Sequence, residues 1–226
     1  MIATLFPDDV LTVTATPEMW DGVLYPEEAA CIASAVPARR REFTAGRLCA
    51  RAALAQLGID DYPLRVGPAR EPLWPPGIVG SISHGAGRCA VVACRSGRIV
   101  GLGLDIERSD ALSADLVPMI CTSAEVAWCG DQRAGKTDWP KLIFSAKEAV
   151  YKCLFPLTGA FLEFHDVAVM PEPRSGRFTA SLLTTIPSVL RLDAVDGRFA
   201  WDDDVVMTGV TLLGAIRSPE ARPREA

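Results

Sequence analysis

The order of hydrophobic and polar positions along the chain predicts a mixture of helices and strands. Apolar residues at helical spacing predict a long helix that begins near Pro37 and ends at Gly58, because glycine is a common helix stop. Shorter helices are predicted after Pro26, which fits a first turn, and at Thr122-Ser-Ala-Glu125, which has capping-box spacing. Apolar or alternating runs predict strands at LTVTAT (11–16), CAVVAC (89–94), RIVGLGLDIE (98–107), FHDVAVM (164–170), RFTASLLTT (177–185) and VVMTGVTLLGAI (205–216).

Segments rich in proline, glycine and polar residues predict the connections. RVGPAREPLWPPGIVG (65–80) is predicted to be a loop, and ERSDALSAD (107–115) is a polar connection that suits a waist between two halves. We therefore predict an N-terminal half over residues 1–103, a C-terminal half over 104–216 and a frayed tail over 217–226.

Composition and charge narrow the class of protein. The 226 residues are 49% hydrophobic and 23% charged, an ordinary globular balance, and the net charge of −5 argues against a nucleic-acid-binding protein. The first residues lack a basic, signal-like start, and no uncharged apolar run approaches about 18 residues, so we expect neither secretion nor a membrane span. Seven cysteines without a C-x-x-C pair favour buried, reduced thiols in a cytoplasmic protein over a zinc site.

Asp105 and Glu107 form the first candidate site. Alternate side chains of a strand share a face, so the two carboxylates project together while their apolar neighbours point into a core. Carboxylates about 7 Å apart repel each other, and a cation between them relieves the repulsion. Oxygen ligands of this kind suit Mg2+, which completes its shell with substrate phosphate. The alternative is that both acids face solvent at the end of a strand.

The segment FSAKEAVYKCL (144–154) is typical of a partly buried helix with charged residues close together. Glu148 and Lys152 share its polar face, opposite Val150, and they meet the Asp105 strand if the two elements pack. Three acids would then hold a metal ion and one lysine would contact an anionic oxygen, as phosphoryl chemistry requires. The alternative is an ordinary surface ion pair at i and i+4.

Two further segments are candidates for binding an anion. GSISHGAG (80–87) offers serine and glycine donors followed by His84, and we interpret it as a phosphate-binding loop, with a structural histidine as the alternative. It matches neither common nucleotide-binding glycine motif. The helix after Pro37 carries five arginines within 13 residues, which serve either an anion or solubility.

Three motifs, in this order, resemble the signatures of one family: SISH (81–84), GLDIE (103–107) and FSAKEAVYK (144–152). The family is the 4′-phosphopantetheinyl transferases of the type that serves nonribosomal peptide and polyketide synthases, also called the surfactin or enterobactin-synthase type. The resemblance runs from about residue 37 to 170 and is most specific in the last motif. It departs at Leu104, where Ile or Val is commoner in the family, a volume-conserving change on the buried side.

The resemblance also implies site residues. Asp105, Glu107 and Glu148 would hold Mg2+, with Mn2+ as a substitute, on the pyrophosphate of coenzyme A. Glu148 would also deprotonate the acceptor serine or serve only as a metal ligand, and Lys152 would steady the phosphate and the departing oxygen. The other implied contacts with coenzyme A are Arg39 and Arg47 on the 3′-phosphate, Ser83 and His84 on a phosphate, and Val66, Gly67, Pro68 and Ala69 along the adenine.

The implied fold is α+β, with two similar α/β halves and the active site at their interface. The implied reaction transfers the 4′-phosphopantetheine arm of coenzyme A to a serine of an apo acyl-, peptidyl- or aryl-carrier protein and releases adenosine 3′,5′-bisphosphate. The resemblance further implies a cytoplasmic monomer that serves siderophore, antibiotic or polyketide synthesis. No motif marks which carriers are modified or where they dock.

Three alternatives fit parts of this pattern. A small trimeric transferase of fatty-acid synthesis would be about half as long as this chain. A relative that only binds would not need Asp105, Glu107, Glu148 and Lys152 together. A Mg2+-dependent phosphohydrolase would use the same acids without handing the arm to a protein. Mass spectrometry of a carrier domain incubated with coenzyme A and Mg2+ distinguishes these functions.

Overall fold

The computed structural model describes residues 1–132, 137–186 and 192–214. Two helices of 20 residues each form most of its helical part, α2 (Pro37–Gln56) and α5 (Trp139–Thr158). Each has a proline in its first turn, and α5 ends at Gly159, whose φ of 63° is a left-handed conformation that favours glycine. The shorter helices are α1 (Pro26–Ala30), α3 (Val117–Ile120) and α4 (Ser123–Asp131), with 3-10 turns at Ile2–Leu5, Pro17–Asp21 and Phe164–Asp166.

The strands of the described residues form two antiparallel sheets. The first sheet has the order β1-β3-β2, and the second has the order β4-β8-β7-β6-β5. Their bounds are β1 (Leu11–Thr14), β2 (Ile78–Gly85), β3 (Arg88–Arg95), β4 (Ile99–Arg108), β5 (Val167–Glu172), β6 (Arg177–Leu182), β7 (Ala194–Trp201) and β8 (Val205–Leu213).

The fold is α+β with two similar halves, because each sheet carries one long helix. Helix α2 packs on the first sheet around Leu54 and Val91, and α5 packs on the second around Val150 and Val210. A third core lies between the sheets and contains Leu104, with residues of both halves. Burial of these apolar side chains, each worth about 1.5–3 kcal/mol, holds the halves together.

Side-chain hydroxyls join strands β2 and β4 across the two sheets, a contact that we call the seam. Ser81 Oγ accepts a hydrogen bond from the Leu104 amide at 3.0 Å, and Ser83 Oγ accepts one from the Ile106 amide at 3.1 Å. Gly85 continues the same face of β2, and a Cβ there would lie 2.2 Å from the Ile106 oxygen. The seam therefore requires two hydroxyls and a residue without a side chain.

The structure confirms most of the predicted elements and corrects two. The capping box at Thr122 is present, the CAVVAC strand is buried throughout, and five of the seven cysteines are buried, all seven being free. Residues 80–87 were predicted as a loop, which is wrong for residues 80–85, because these lie in β2 and pair with β3. Strand β7 (Ala194–Trp201) was missed, although it alternates between buried and exposed residues.

The predicted division of the chain stays a prediction. Its boundary between residues 103 and 104 falls inside β4, which pairs with β8 of the second sheet on both sides of that boundary. The tail over 217–226 lies outside the described residues. In the part of the chain that the structure describes, no helix is long and apolar enough to cross a membrane.

Candidate active site

A cavity of about 950 Å³ opens between the two halves. Its walls come from α2 and the segment after it on one side, and from β4 and α5 on the other. Among the residues predicted from the sequence, Gly67 and Pro68 are not part of its lining. The predicted residues that do line it are Arg39, Arg47, Val66, Ala69, Ser83, His84, Asp105, Glu107, Glu148 and Lys152.

Close packing of α5 on β4 brings the predicted lysine and aspartate together. Gly103 makes this packing possible, since a Cβ at this position would lie 1.8 Å from the Ala149 oxygen. Lys152 Nζ lies 2.6 Å from Asp105 Oδ1, and it also donates to Ser83 Oγ at 3.2 Å. Lys152 therefore makes a partly buried tertiary contact with Asp105, rather than only the surface pair with Glu148 that the helix alone allowed.

Two of the three predicted carboxylates, Glu107 and Glu148, lie where burial disfavours their negative charge. Burial, reinforced by the charge of Asp105, raises the pKa of Glu107 to about 7. Burial also raises the pKa of Glu148, against the opposing effect of Lys152. A desolvated cluster of acids of this kind is typical of sites that bind a cation or transfer a proton.

One oxygen of Asp105 supports a cation site. Asp105 Oδ2 is buried and has no hydrogen-bond partner, which is unusual for a buried carboxylate oxygen. Oxygen donors are the ligands that Mg2+ prefers, so the chemistry of the three acids fits this ion. Within the described residues, however, no three acidic, histidine or cysteine side chains are close enough together to form a closed metal site.

His84 lies in a polar cluster with Arg39 and Glu42. Arg39 Nη1 lies 2.5 Å from His84 Nε2, and His84 Nδ1 lies 3.5 Å from Glu42 Oε2. Arginine has no acceptor, so Nε2 accepts and the ring proton sits on Nδ1, toward the carboxylate. Burial lowers the pKa of His84 against the opposing charge of Glu42, which favours this neutral tautomer.

Arg47 differs from Arg39 in its surroundings. Its Nε donates to the Leu64 oxygen at 2.7 Å, and its guanidinium stacks 4.0 Å from the centre of the Phe43 ring. Burial lowers the pKa of Arg47 to about 10, whereas the side chain of Arg39 is half exposed. The sequence left the arginines of this helix to either an anion or solubility, and Arg47 is buried in the wall of the cavity, where Leu64 holds it.

The predicted adenine-binding segment is a tight turn closed by Glu71. Val66 and Pro72 form an isolated bridge, and Glu71 Oε2 accepts a hydrogen bond from the Ala69 amide at 2.9 Å. A Cβ at Gly67 would lie 2.0 Å from Glu71 Oε1, so a side chain there would displace the Glu71 carboxylate. Val66 and Ala69 consequently face the cavity while Gly67 shapes the turn.

Comparison with known proteins agrees with this geometry. Residues 27–94 match the model of the 4′-phosphopantetheinyl transferase N-terminal domain, and residues 101–207 match that of the 4′-phosphopantetheinyl transferase superfamily. The chain is 38% identical to the 4′-phosphopantetheinyl transferase Svp of Streptomyces mobaraensis over 237 aligned positions, which cover 100% of this chain and 96% of that protein. The chain belongs to the 4′-phosphopantetheinyl transferase family.

Two further relatives extend the comparison. The 4′-phosphopantetheinyl transferase PptT of Mycobacterium tuberculosis is 35% identical, with 94% of this chain and 98% of that protein covered. Enterobactin synthase component D of Salmonella typhimurium is 35% identical over 66% of this chain and 58% of its own length. The resemblance found in three short motifs thus extends over the whole chain, and this protein is a 4′-phosphopantetheinyl transferase.

Sequence reasoning about this transferase missed several residues of the cavity. Glu42 contacts both His84 and Arg39, and its position one turn after Arg39 was a usable signal. Tyr151, Arg70 and Glu71 also line the cavity, and no sequence pattern set them apart.

Lys147, next to the catalytic candidates, lies on the opposite side of the transferase helix. Its ammonium donates to Glu125 Oε2 and to the oxygens of Ile120 and Phe164, at 2.7–2.8 Å. The residue is buried, and these three acceptors satisfy all of its hydrogens. Lys147 therefore anchors α5 and takes no part in the cavity.

Proposed function

We propose that this transferase moves the 4′-phosphopantetheine arm of coenzyme A to a serine hydroxyl of a carrier protein, in the presence of Mg2+. The serine oxygen forms a bond to the β-phosphorus, and the pyrophosphate bond to the nucleotide breaks. Adenosine 3′,5′-bisphosphate leaves, and the serine proton passes to the enzyme. The observation that carries the proposal is the meeting of Lys152 with Asp105 beside two desolvated glutamates in a cavity between the halves.

Each acid has a proposed role. Asp105, Glu107 and Glu148 would hold Mg2+, which offsets the negative charge of the pyrophosphate when it is bound. Burial raises the pKa of Glu148, and a raised pKa makes this carboxylate a better proton acceptor. As a general base, Glu148 would take the serine proton, directly or through a water molecule, and Lys152 would stabilise the charge on the departing phosphate oxygen.

The N-terminal half would bind the nucleotide. Arg39 is half exposed at the cavity and contacts His84, so both residues are available to a phosphate group. Arg47 offers its terminal nitrogens from the base of the cavity, since its Nε is already bonded to Leu64. Charge-assisted contacts of this kind are worth about 1.5–3 kcal/mol each. The segment with Val66 and Ala69 would cover the adenine.

The acceptors would be carrier domains of nonribosomal peptide and polyketide synthases. One relative is named for the synthesis of enterobactin, so siderophore synthesis is one proposed setting. We further propose that the enzyme acts in the cytoplasm as a monomer.

The decisive experiment incubates an apo carrier domain with coenzyme A, Mg2+ and the enzyme, followed by mass spectrometry of the intact carrier. We expect the mass to increase by one phosphopantetheine arm and adenosine 3′,5′-bisphosphate to appear in equal amount. Nucleotide release without a carrier would indicate a phosphohydrolase instead. Coenzyme A binding without either product would indicate a relative that only binds.

A further inference from the structure

The hydroxyl of Ser83 has every hydrogen-bonding position filled by the protein. It donates to Asp105 Oδ1 at 3.2 Å, and it accepts from the Ile106 amide at 3.1 Å and from Lys152 Nζ at 3.2 Å. A hydroxyl offers one donor and two acceptor positions, so none is left for a ligand. The residue is also only 3% exposed. A coenzyme A phosphate could bind Ser83 only by breaking one of these bonds.

His84, the next residue, has the opposite arrangement. Successive side chains of a strand point to opposite faces, and His84 faces Arg39 and Glu42 rather than the seam. The serine and the histidine, predicted to act together on one phosphate, therefore belong to two different clusters. His84 keeps the role of a ligand group, whereas Ser83 faces the catalytic residues.

Ser83 connects three elements that carry the site. Strand β2 supplies the hydroxyl, β4 supplies Asp105 and α5 supplies Lys152. Both Ser83 and Lys152 bind the same oxygen, Oδ1, and Oδ2 of Asp105 is left without a partner. The hydroxyl thus fixes the rotation of the carboxylate, with one oxygen toward the lysine and the other free.

We propose that Ser83 is a positioning residue, which orients Asp105 and Lys152 for transfer and does not bind coenzyme A. This inference rests on the proposed function for its effect on turnover. Its effect on the lysine itself does not depend on that function. Loss of the hydroxyl removes an acceptor from Lys152 and a donor from Asp105, and small misplacements of catalytic groups lower rates strongly.

Ser81 provides a matched control. It lies on the same face of β2 and is equally buried at 3%. Its Oγ accepts from the Leu104 amide at 3.0 Å, as Ser83 accepts from the next amide on the same face, and it has no bond to Asp105 or Lys152. Ser81→Ala and Ser83→Ala each leave one buried amide of β4 without a partner, so this contribution to stability is matched in the two variants.

The test compares these two variants in three measurements. We expect both to lower Tm by similar amounts, about 2–8 °C. Only Ser83→Ala should lower kcat, by about tenfold or more, with KM for coenzyme A within about twofold of the wild-type value. Ser83→Thr, which keeps a hydroxyl, should recover most of kcat. Ser83→Cys keeps the volume with a weaker hydrogen-bonding group and should resemble Ser83→Ala in kcat.

Labelling of the lysine gives a readout without any reaction. Acetic anhydride, at limiting amounts, should acetylate Lys152 faster in Ser83→Ala than in Ser81→Ala or wild type, as measured by mass spectrometry of the peptides. If the wild-type enzyme transfers nothing but labelling differs in this way, the proposed function fails and the positioning role stands.

Three results would overturn the inference. Equal losses of kcat in Ser81→Ala and Ser83→Ala would reduce Ser83 to a structural residue of the seam. A rise in KM for coenzyme A of about tenfold or more with unchanged kcat would make Ser83 a ligand of the coenzyme. Unchanged labelling of Lys152 in Ser83→Ala would show that the hydroxyl does not hold the lysine.

Discussion

Both halves of the molecule contain a buried glutamate at the third position of a short helix, which we call the capping glutamate. Glu28 of α1 accepts hydrogen bonds from the Tyr25 amide and, at long range, from the Leu64 amide. Glu125 of α4 accepts from the Thr122 amide and, at long range, from the Val169 amide. In both halves a helix cap thus also fixes a distant segment.

The two capping glutamates differ in the cation with which the long helix pairs them. Arg51 of α2 lies 3.2 Å from Glu28 and its side chain is 33% exposed. Lys147 of α5 lies 2.8 Å from Glu125 and its side chain is 2% exposed. A partly exposed cation can be hydrated if its partner is lost, whereas a buried one cannot.

This difference matches the use of each long helix. Helix α2 presents Arg39 and Arg47 to the end of the cavity that is proposed to bind the nucleotide, where a bound phosphate would supply the opposite charge. Helix α5 carries Glu148 directly after the anchored Lys147, and Lys152 one turn later. The half proposed to perform chemistry is therefore anchored by a more deeply buried ion pair than the half proposed to bind.

The largest effect on stability is expected when the capping glutamate of the C-terminal half loses its charge. Glu125→Gln removes the charge that compensates the buried Lys147 and should lower the free energy of unfolding by about 3–5 kcal/mol. The equivalent change, Glu28→Gln, should cost only about 1–3 kcal/mol, because Arg51 reaches solvent. Urea denaturation of both variants measures the difference. Equal losses would show that exposure of the cation does not distinguish the two halves.

Removal of a carboxylate from the catalytic helix should separate activity from stability. Glu148→Gln should lower kcat by at least about a hundredfold, the usual effect of losing one main electrostatic group. Because burial raises the pKa of Glu148, a neutral amide should leave Tm unchanged or raise it. Steady-state kinetics and thermal denaturation test both parts. A fall in Tm with normal kcat would assign Glu148 to structure alone.

The close contact between α5 and β4 can be disturbed at one glycine. Gly103→Ala places a methyl group against the Ala149 oxygen and should lower the free energy of unfolding by about 1–3 kcal/mol. It should also lower kcat, because α5 shifts away from Asp105. Gly97→Ala is the control, since nothing lies within 4 Å of the added carbon. If Gly103→Ala retained full kcat, the position of α5 on β4 would not control catalysis.

The smallest effect should come from the exposed arginine of the binding half. Arg39→Ala should raise KM for coenzyme A by about tenfold with kcat and Tm nearly unchanged, because Arg39 is half exposed. Arg47→Ala should raise KM and also lower Tm, because its guanidinium is bonded to Leu64. Dephospho-coenzyme A, which lacks the 3′-phosphate, sharpens the test. A variant that discriminates against it as strongly as wild type would exclude that arginine from the 3′-phosphate site.

The sequence predicted the elements and the charged residues better than it predicted their contacts. Alternation correctly separated the apolar side of β4 from Asp105, and the helical wheel correctly placed Lys152 on a face that reaches this strand. Each conclusion follows from the regular repeat of side-chain directions along a single strand or helix.

Contacts between distant elements were not visible in this way. Residues 80–87 were interpreted as a phosphate-binding loop because of their serine and glycine donors. Residues 80–85 instead lie in β2, and the hydroxyls of Ser81 and Ser83 accept hydrogen bonds from main-chain amides of β4. Lys147 gave no sign of burial, since its partner Glu125 belongs to another helix. Strand β7 was missed because Gly197, a residue type depleted in strands, stands between Val195 and Phe199 on the buried face.

The central claim is that Asp105 and Lys152, from different elements, act as one unit in transfer. The most direct test measures kcat of Asp105→Asn, Lys152→Ala and the double variant with a saturating carrier domain. Each single change should lower kcat by at least about a hundredfold, and the double variant should be little worse than either. If the two losses instead multiply in the double variant, the residues act independently and the claim is contradicted.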